Sequence, residues 1–590
     1  MNVARPLSIY MLATSILHSV TGVAEELVQP DIEALRKVAE LAGEHQAVMQ
    51  ARLKDARQNA WTLGKQVRLT EQAFGDAQQR LDEAEKTINK KKSAGQQPTT
   101  AELDQLKAIR TARDSAARQA EQTQRDYTSA TEQLAQTDKQ FEEADLVYTM
   151  KLTAYQSARA DIGRFVYFSR EVAPILARRC LSCHSPRVSK GRIDLGSYAG
   201  IMRGGVNGEI VEREDAESST LYLSVKDGTM PREDDRLTEE EVAIIRKWID
   251  LGAELDAGLH PDDGLASLIP RLAQPQPPET YRVAVPVTAV AFGPAGRLLA
   301  TAGYHEVILW TAEDGRLVRR LTDVAQQTYG IDFNPEGDTV VVASGTPAEI
   351  GETSLFRVSD GRRLRTLITS TGVMYSARYS RDGQWIATAG EDKLIHVFNA
   401  RDGNRRFKLA DHYLTVMDVA WAPNDKWLAS VSLDKNVKVF DTKTGLQFAN
   451  FQKATESSFE GLVYGVDFSP DGSKVVSCGN HRHVRISNTD DGKLVREIGG
   501  FDASVMRVRV SQAGTVYSSS ANHTITAHNL EDGQLIQTFE GHRDWVYALA
   551  LHEATGRLAS GSHDGEVRIW NLKTGELELS FVGSPGRAHH

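Results

Sequence analysis

The chain is poor in cysteine: its 590 residues contain three, Cys180, Cys183 and Cys478. Three cysteines do not make the disulfide framework that stabilises small secreted proteins. Only one Cys-x-x-Cys pair is present, so the second pair that a four-cysteine zinc site needs is missing. Cys478 lies in the strand-like stretch VVSCG, and we expect it to be a small buried hydrophobic residue.

Excess positive charge and long apolar runs are also missing. The formal net charge of -10 offers no electrostatic basis for binding nucleic acid. After the N-terminus no stretch approaches twenty apolar residues, so we expect no membrane span in the mature chain. At this length the chain should divide into three or four folding units.

The N-terminal segment 1–24 has the layout of a secretory signal. Arg5 precedes the apolar run LSIYMLATSILHSV, and small residues follow at Gly22 and Ala24, which predicts cleavage after Ala24. Glu25 stands where a lipoprotein would have cysteine. The prediction is an exported protein of the periplasm or another extracytoplasmic space; an uncleaved N-terminal anchor is the alternative.

The stretch CLSCH, from Cys180 to His184, is the chemically most specific motif. Two thiols in this spacing can each bind one vinyl group of a haem, and the following histidine then lies under the iron as its ligand. A thioredoxin-like redox motif is disfavoured by the histidine directly after the second cysteine. We therefore expect one covalently attached haem c, held by Cys180, Cys183 and His184.

The apolar spacing in residues 28–163 predicts a coiled-coil hairpin of two antiparallel helices. Apolar residues recur at alternating spacings of three and four from Ile32 to Ile88, broken only by Gln46 and Thr70. A second apolar series runs from Leu106 to Ile162, and Thr99 with Glu102 forms a candidate capping box before it. The arm is either a spacer or a surface for oligomerisation or partner docking.

Residues 164–258 predict a small all-α domain around the haem motif. A helix-like FSREVAPILARRC leads into the motif, and LTEEEVAIIRKWIDLGAEL predicts an amphipathic helix with Thr238 as its N-cap. The ordered features FSREVAPIL, CLSCH, RIDLGSYAGIMRGG, SSTLYL, TMP and the final helix resemble the c-type cytochrome domains of planctomycetes and related bacteria. Arg232 departs from the family, which often has a second proline after Met-Pro.

The sixth iron ligand is a separate question, and Met230 is our candidate. A thioether opposite imidazole raises the reduction potential, which suits electron transfer. Pro231 would restrict the loop that presents the sulfur. Alternatively Met230 only packs against the porphyrin edge; Met202 is the rival ligand but is better explained as core, and His260 lies beyond the last helix. Trp248 is expected to pack against the haem or the attachment helix.

After a linker at 259–280, residues 281–583 predict a seven-bladed all-β propeller, followed by a tail at 584–590. A unit of about forty residues recurs, with four strand-like stretches in each copy. The units resemble WD repeats, most fully in the last, where Gly541, His542, Asp564 and Trp570 match structural positions. Other units keep Asp392, Asp434 and Trp310 but lose members, so looser ends are expected there. The seven units begin at Val287, Thr328, Met374, Val416, Val463, Val505 and Val546.

Each unit supplies its own fourth strand, so the ring should close by packing; a contribution from 281–285 is the alternative. The second residue of each unit should surface near the mouth of the central channel. A ring of tyrosines and methionines there would suit protein docking, whereas packing between blades is the simpler explanation. These residues are Thr288, Tyr329, Tyr375, Met417, Tyr464, Met506 and Tyr547.

Together these features predict an exported mono-haem c-type cytochrome that transfers electrons to a redox partner protein, with the propeller and arm for docking. The alternative is a haem-containing binding scaffold or sensor. A third class is an enzyme, either a haem peroxidase or a propeller dehydrogenase, but the sequence contains no second cofactor motif and no catalytic pair.

Overall fold

The protein is described here from a computed structural model. It covers residues 31–94, 96–181, 183–184, 190–231, 236–268, 271, 273–347, 349–370, 372–410, 412–451 and 461–586. The predicted signal segment 1–24, Arg232 and the end of the tail lie outside these residues. The predicted domain boundaries and the export of the protein therefore stay predictions.

Two long helices form the N-terminal part of the described chain: α1 (Ile32–Ser93) and α2 (Thr100–Asp161), each of 62 residues. At about 1.5 Å per residue each is about 90 Å long. The side chain of Asp31 accepts the N–H of Ala34 at the start of α1. Thr99 and Glu102 form the predicted capping box at the start of α2.

The two helices pack against each other in opposite directions. The amide of Gln46 donates to Asp145 at 3.0 Å, and Thr70 contacts Thr123 at 3.1 Å, so the two polar interruptions of the apolar series are paired across the interface. Ile162 was expected to continue the series, but it is 43 % exposed because it is the C-cap and lies past the last helical turn. The buried apolar residues between the helices include Ala39, Met49, Leu53, Ala60, Val67, Leu81, Ile88, Ala130, Leu134 and Ala144.

Short helices follow and share one core. Phe168, Leu176, Cys180, Trp248 and Ile249 are all buried in it. The helical elements are a π-helical turn Phe168–Val172, α3 (Ala173–Arg179), a 3-10 turn Lys190–Arg192, α4 (Tyr198–Arg203), a 3-10 turn Ala216–Ser218, α5 (Thr220–Lys226), α6 (Glu239–Asp250) and α7 (Leu265–Leu268).

The C-terminal half is a seven-bladed propeller of consecutive four-stranded antiparallel sheets, as predicted. Blades 1 and 2 contain β1 (Val290–Phe292), β2 (Leu298–Ala302), β3 (Val307–Thr311), β4 (Leu317–Leu321), β5 (Gln327–Phe333), β6 (Thr339–Thr346), β7 (Ile350–Arg357) and β8 (Arg363–Ser370). Blades 3 and 4 contain β9 (Met374–Tyr379), β10 (Trp385–Gly390), β11 (Ile395–Asn399), β12 (Arg405–Leu409), β13 (Val416–Trp421), β14 (Trp427–Ser432), β15 (Val437–Asp441) and β16 (Gln447–Asn450).

The remaining blades follow the same order. Blade 5 contains β17 (Val463–Phe468), β18 (Lys474–Gly479), β19 (Val484–Asn488) and β20 (Leu494–Ile498). Blade 6 contains β21 (Val505–Val510), β22 (Thr515–Ser520), β23 (Ile525–Asn529) and β24 (Leu535–Phe539). Blade 7 contains β25 (Val546–His552), a 3-10 turn Glu553–Thr555, β26 (Arg557–Ser562), β27 (Glu566–Asn571) and β28 (Leu577–Val582).

The ring closes by packing of blade 1 on blade 7, as expected, and not by a borrowed strand. Val287 donates its N–H to the carbonyl of Ser562 at 2.9 Å. The segment 281–285 runs beside the chain end: Tyr281 donates to the carbonyl of Pro585, and Val285 donates to the hydroxyl of Ser584. Each described sheet consists of the four strands of its own unit.

A buried hydrogen-bond network stabilises the outer part of blade 7. His542 contacts Asp564 at 3.1 Å and Ser560 at 2.8 Å, and the indole of Trp570 donates to Ser560. Burial acts to raise the pKa of Asp564, but the hydrogen bond from His542 and two backbone N–H groups lower the pKa to about 2. This carboxylate is therefore ionised at neutral pH.

Blade 4 keeps more of this network than the sequence indicated. His412 contacts Asp434 at 2.8 Å and Ser430 at 2.8 Å, although no Gly-His pair precedes the blade. The position that Trp570 occupies in blade 7 is taken by Phe440 here. Of the hydrogen bonds in this network, blade 4 lacks only the one that the indole donates in blade 7. Blade 4 therefore keeps more of the WD-repeat interactions than the sequence predicted.

The helical segment and the linker are attached to the propeller flank. Arg405 pairs with Asp263 at 2.8 Å, and Lys408 donates to the carbonyl of Asp262. Further along, Arg271 donates to Asp323 at 2.9 Å and to Glu352 at 2.6 Å. These contacts hold residues 262–271 against blades 1 to 3.

The long helices also lie against the propeller, along blades 3 and 4. The guanidinium of Arg68 lies 3.7 Å from the ring centroid of Phe448 and 5.2 Å from that of Trp427. Arg57 lies over Phe407 at 5.3 Å, and Lys443 of the propeller lies 5.6 Å from the ring of Tyr127. Cation–π contacts of this kind fix the arm on its own propeller.

Candidate functional site: the Cys-x-x-Cys-His turn and the propeller face

The three residues of the CLSCH motif lie on one turn that continues α3. Cys180 is the C-cap of the helix, and its N–H donates to the carbonyl of Leu176 at 2.9 Å. The carbonyl of Cys180 then accepts the N–H of Cys183 at 3.2 Å and that of His184 at 3.0 Å. The structure thus brings both thiols and the imidazole together through local backbone hydrogen bonds.

Neither cysteine of the motif is part of a disulfide. Cys180 is buried in the core of the helical segment, and burial raises the pKa of its thiol to about 12. Cys183 is half-buried. Two thiols on one turn, neither in a disulfide, are the groups that thioether attachment requires.

The imidazole of His184 has an unused nitrogen. Its Nδ1 is buried without a hydrogen-bond partner among the described residues, while the backbone is fixed by the N–H of Leu195, which donates to the carbonyl of His184 at 2.8 Å. A buried nitrogen without a partner costs free energy, so a group that engages this imidazole would be favourable. The two thiols outside disulfides and this histidine fit a covalently bound haem.

Met230 lies in the loop after α5, where its N–H donates to the carbonyl of Ser224 at 3.1 Å. Its side chain is 38 % exposed and does not belong to the core that contains Cys180. The structure therefore does not join Met230 to the motif, and its role as sixth ligand stays a prediction. Met202 packs against that core, and the backbone N–H of Asp262 donates to the exposed His260.

Trp248 holds the core together below the motif. Its ring is 1 % exposed and lies 5.3 Å from Phe168 and 6.5 Å from Tyr198, centroid to centroid. The indole N–H donates to the carbonyl of Glu254 at 3.0 Å. Since Phe168 and Cys180 belong to the same core, Trp248 supports the attachment helix.

The seven predicted ring residues are all half-buried at the start of the first strands. In blades 2 to 7 each of them is the extra residue of a β-bulge, because its neighbours on both sides pair with consecutive residues of the second strand. A bulge redirects a side chain away from the regular alternation. The ring residues are Thr288, Tyr329, Tyr375, Met417, Tyr464, Met506 and Tyr547.

Contacts within the ring are aromatic. The rings of Tyr329 and Tyr375 lie 4.9 Å apart, and Tyr547 lies 6.1 Å from Trp545. Burial raises the pKa of Tyr329, Tyr464 and Tyr547, so these phenols stay neutral hydrogen-bonding groups.

Sequence reasoning missed the exposed residues that extend this ring outward. Trp545 is 47 % exposed, Tyr413 is 60 % exposed and Leu414 is 45 % exposed. Their position in the sequence could have identified them, since they come one to three positions before the first residue of a unit. We call the seven ring residues together with Trp545, Tyr413 and Leu414 the ring face.

The sequence also gave no indication of a charged cluster within the channel. Asp418 is 1 % exposed, accepts the hydroxyl of Ser376 at 2.8 Å and lies 3.4 Å from the guanidinium of Arg507. Arg507 also donates to the carbonyl of Tyr464. We call Ser376, Asp418 and Arg507 the channel plug, because they meet across the axis beneath the ring face.

One group of potential metal ligands lies close together among the described residues: His542, Asp564 and Glu566, with ligand atoms within 4.8 Å of one another. His542 is already used by Asp564 and Ser560, and Glu566 pairs with Arg568 at 2.8 Å. Blade stabilisation explains this group, so no metal site is assigned here.

Family models match parts of the propeller and part of the short-helix segment. The family model for the WD domain, G-beta repeat, matches residues 361–399, 403–441, 453–487 and 533–571. The family model for Planctomycete cytochrome C matches residues 180–234, which begin at the first cysteine of the motif.

Similar curated proteins match the propeller in part. A guanine nucleotide-binding protein subunit beta-like protein of Encephalitozoon cuniculi is 28% identical over 148 residues, 24% of this chain and 44% of that protein. THO complex subunit 6 of Arabidopsis thaliana is 31% identical over 73 residues, 12% of this chain and 20% of that protein. Mitochondrial division protein 1 of Saccharomyces cerevisiae is 36% identical over 99 residues, 16% of this chain and 13% of that protein. The chain spans less than half the length of each.

Within the described ranges, no helical stretch combines the length and the apolar composition that a membrane crossing requires.

Proposed function

We propose that this chain, a planctomycete-type cytochrome c segment joined to a seven-bladed WD-repeat propeller, is a haem-carrying scaffold that binds another protein through its ring face. The observation that carries the proposal is the set of bulges that each insert a half-buried tyrosine or methionine at the start of the first strand in six of seven blades. Tyrosine supplies large contact area with little conformational freedom to lose, which suits a binding surface.

The exposed part of the ring face supports the same proposal. Trp545 and Tyr413 present aromatic rings to solvent beside the half-buried ring residues. Aromatic residues of this kind are enriched at the centres of protein interfaces. Two of the similar curated proteins are named as subunits, which agrees with a role in an assembly.

The Cys-x-x-Cys-His turn is proposed to hold one haem c. The thiols of Cys180 and Cys183 would each hold one vinyl group through a sulfur–carbon bond, with the thiol hydrogen passing to the neighbouring vinyl carbon, so the attachment would need no oxidant. His184 would bind the iron. The haem would supply one-electron chemistry. If the predicted signal segment exports the chain, this attachment would take place outside the cytoplasm.

The two long helices are proposed to form an antiparallel coiled-coil hairpin that braces the scaffold. The alternation of three and four residues between buried positions on α1 supports this interpretation. Because Arg57 and Arg68 contact blades 3 and 4, the arm acts within the chain along this length. If the helical arm also docks a redox partner, the partner would bind the face of the helices that points away from the propeller.

Electron transfer to a redox partner protein is the second candidate function. The family match that begins at Cys180 favours it, together with a methionine that follows the motif in the order typical of the family. A methionine ligand opposite His184 would keep small molecules from the iron and raise the reduction potential.

The ring face is tested by replacing Tyr329 and Tyr464 together with alanine. We expect the partner to be lost, because truncating interface aromatic residues typically costs about 2 kcal/mol or more each, which is roughly thirtyfold in affinity. Full-length variants are compared by quantitative affinity purification from extracts of the native host, and the affinity of the purified partner is then measured.

The matched control is the pair Leu535→Ala and Ile536→Ala, which removes exposed apolar residues from the outer strand of blade 6. It should bind the partner as the unchanged protein does. Equal partner binding by the ring variant and this control would contradict the proposed docking face.

Met230→Ala tests the sixth ligand. In the oxidised haem protein it should remove the weak far-red band between sulfur and iron and lower the reduction potential, because a weaker ligand replaces the thioether. Visible spectra and a redox titration measure both effects. Met202→Ala is the control and should keep the band; loss of the band in Met202→Ala alone would reassign the ligand.

A further inference from the structure

The channel of the propeller has a second mouth, at the end where the first strands finish. All first strands begin at the ring face, so their last residues and the turns after them surround the opposite opening. A cavity of about 390 Å³ lies there and is lined by residues of all seven blades. A volume of this size is typical of small-molecule sites.

This cavity is a blind funnel. Towards the ring face it meets the channel plug, where a free volume of only about 20 Å³ remains around Ser376, Asp418 and Arg507. The buried contacts of Asp418 with Ser376 and Arg507 close the passage. A ligand of the funnel would therefore enter and leave through the second mouth and would not reach the ring face.

The acidic groups of the funnel are already used to join blades. Asp332 of blade 2 accepts the N–H of Tyr379 of blade 3 at 2.9 Å, and Asp467 of blade 5 accepts the N–H of Val510 of blade 6 at 2.9 Å. Glu553 of blade 7 accepts the N–H of Gln512 of blade 6. These carboxylates therefore brace neighbouring blades, and two of them, Asp332 and Asp467, also lie within electrostatic reach of Arg378 and Arg381.

Three arginines provide the basic groups of the funnel. Arg378, Arg381 and Arg509 line the funnel. Arg509 donates to the carbonyl of Val508 and lies 3.9 Å from Asp418. Within the described residues the guanidinium groups of Arg378 and Arg381 make no hydrogen bond or close ion pair, although both interact electrostatically with Asp332 and Asp467. Each offers five N–H donors in a planar fork that matches carboxylate and phosphate groups.

Aromatic and apolar side chains form the rest of the wall. Phe292 and Leu551 are half-buried and line the funnel, whereas Tyr379 and Trp421 are buried in the cores between blades and reach it only with their edges. Such a surface suits the body of an organic molecule, while the arginines suit its charged groups.

We propose that the funnel binds a small organic anion, whose carboxylate or phosphate groups are held by Arg378 and Arg381 and whose body lies against Phe292 and Leu551. This site is separate from the ring face and from the Cys-x-x-Cys-His turn. It makes the propeller a receptor for a small molecule as well as a docking platform.

The titration of the acidic neighbours supports this assignment. Burial raises the pKa of Asp467 to about 6 and also raises the pKa of Asp332, although backbone N–H groups and nearby arginines act in the opposite direction. The two side chains therefore hold protons more readily than exposed aspartates do. A protonated aspartate carries no negative charge, so the raised pKa values weaken the repulsion between these two side chains and an anion bound in the funnel.

Isothermal titration calorimetry on the full-length protein tests the proposal with three probes: inorganic phosphate, glycerol 3-phosphate and citrate. Saturable binding of at least one probe is expected. Binding of the two phosphates alone would identify a phosphate ligand, and binding of citrate alone a carboxylate ligand. Arg378→Gln and Arg381→Gln should each weaken binding about tenfold or more, since a hydrogen bond to a charged group is lost.

Arg401→Gln removes an exposed arginine of the same blade outside the funnel and is the matched control, which should bind as the unchanged protein does. Thermal melts check that each variant is folded. If Arg378→Gln does not fold, the Arg381→Gln variant alone tests the proposal, because Arg381 is exposed and its substitution should leave the fold intact. Absence of binding of all three probes, or equal binding by the funnel variants and the control, would overturn the proposal.

Discussion

Replacing Cys180 and Cys183 together with alanine should abolish covalent haem and leave the propeller folded. Both thiols lie on the turn after α3, and Cys478 is fully buried in blade 5, so no other cysteine can take over the attachment. Haem staining after denaturing electrophoresis and a pyridine haemochrome spectrum measure the attached haem. The expected loss is complete, because each thioether requires its own thiol.

Cys478→Ala is the control for this experiment. Burial raises the pKa of the Cys478 thiol strongly, and its side chain packs in β18, so the variant should keep its haem. Colour that persists in the double variant would mean that haem is held elsewhere. Colourless unchanged protein, matured in a cell that assembles c-type cytochromes, would remove the basis for haem binding altogether.

Folding of the propeller in the double variant follows from the organisation of the chain. The cores of the blades consist of residues from neighbouring repeats, whereas Cys180 belongs to the core of the short helices. Far-ultraviolet circular dichroism and the main thermal transition should therefore stay close to those of the unchanged protein. Any loss should be confined to residues around α3 and α6.

Features that depend on neighbours in sequence were predictable. The capping boxes at Thr99 and Thr238 need only a hydroxyl and a glutamate three residues later, and both are present in the structure. The four-strand units follow from apolar runs separated by turns. The turn that joins Cys180 to His184 is also local, which explains why the motif is assembled by backbone hydrogen bonds alone.

Features that depend on distant contacts were not predictable. Asp418 and Arg507 lie two blades apart, and their contact exists only because seven first strands surround one axis. The contacts of Arg57 and Arg68 with the propeller join residues more than three hundred positions apart. Nothing in the charged faces of the helices distinguished these arginines from solvent-exposed ones.

The bulges lie between these two cases. The spacing of the repeats located Tyr329, Tyr375 and the other ring residues, but the period of two along a strand does not show that one residue is inserted. The register of the second strand reveals it. The orientation of the ring residues therefore depends on an inserted backbone residue, which the side-chain pattern alone does not reveal.

The linker contacts determine how the two proposed activities are arranged. Arg271 pairs with Asp323, between blades 1 and 2, and with the fully buried Glu352 of β7, and Arg405 of β12 pairs with Asp263, so residues 263–271 are attached to blades 1 to 3. These contacts connect the segment that carries the Cys-x-x-Cys-His turn with the propeller that carries the ring face.

Trp248→Ala should unfold the segment that carries the motif while leaving the propeller intact. The indole is 1 % exposed between Phe168 and Tyr198, and such truncations cost about 3–5 kcal/mol. That is comparable to the whole stability of a small domain. Since Cys180 lies in the same core, the variant should also incorporate less haem.

Hydrogen exchange and limited proteolysis locate the effect of this substitution. Amides of α3 and α6 should lose protection, whereas those of the first strands of the blades should keep it. Trp248→Phe is the matched control: it keeps one aromatic ring in the core and loses the second ring and the indole hydrogen bond to Glu254, so it should destabilise the segment less than Trp248→Ala and retain more haem. Unchanged protection of α3 in Trp248→Ala would show that the turn is stabilised by the haem and the propeller flank without this core.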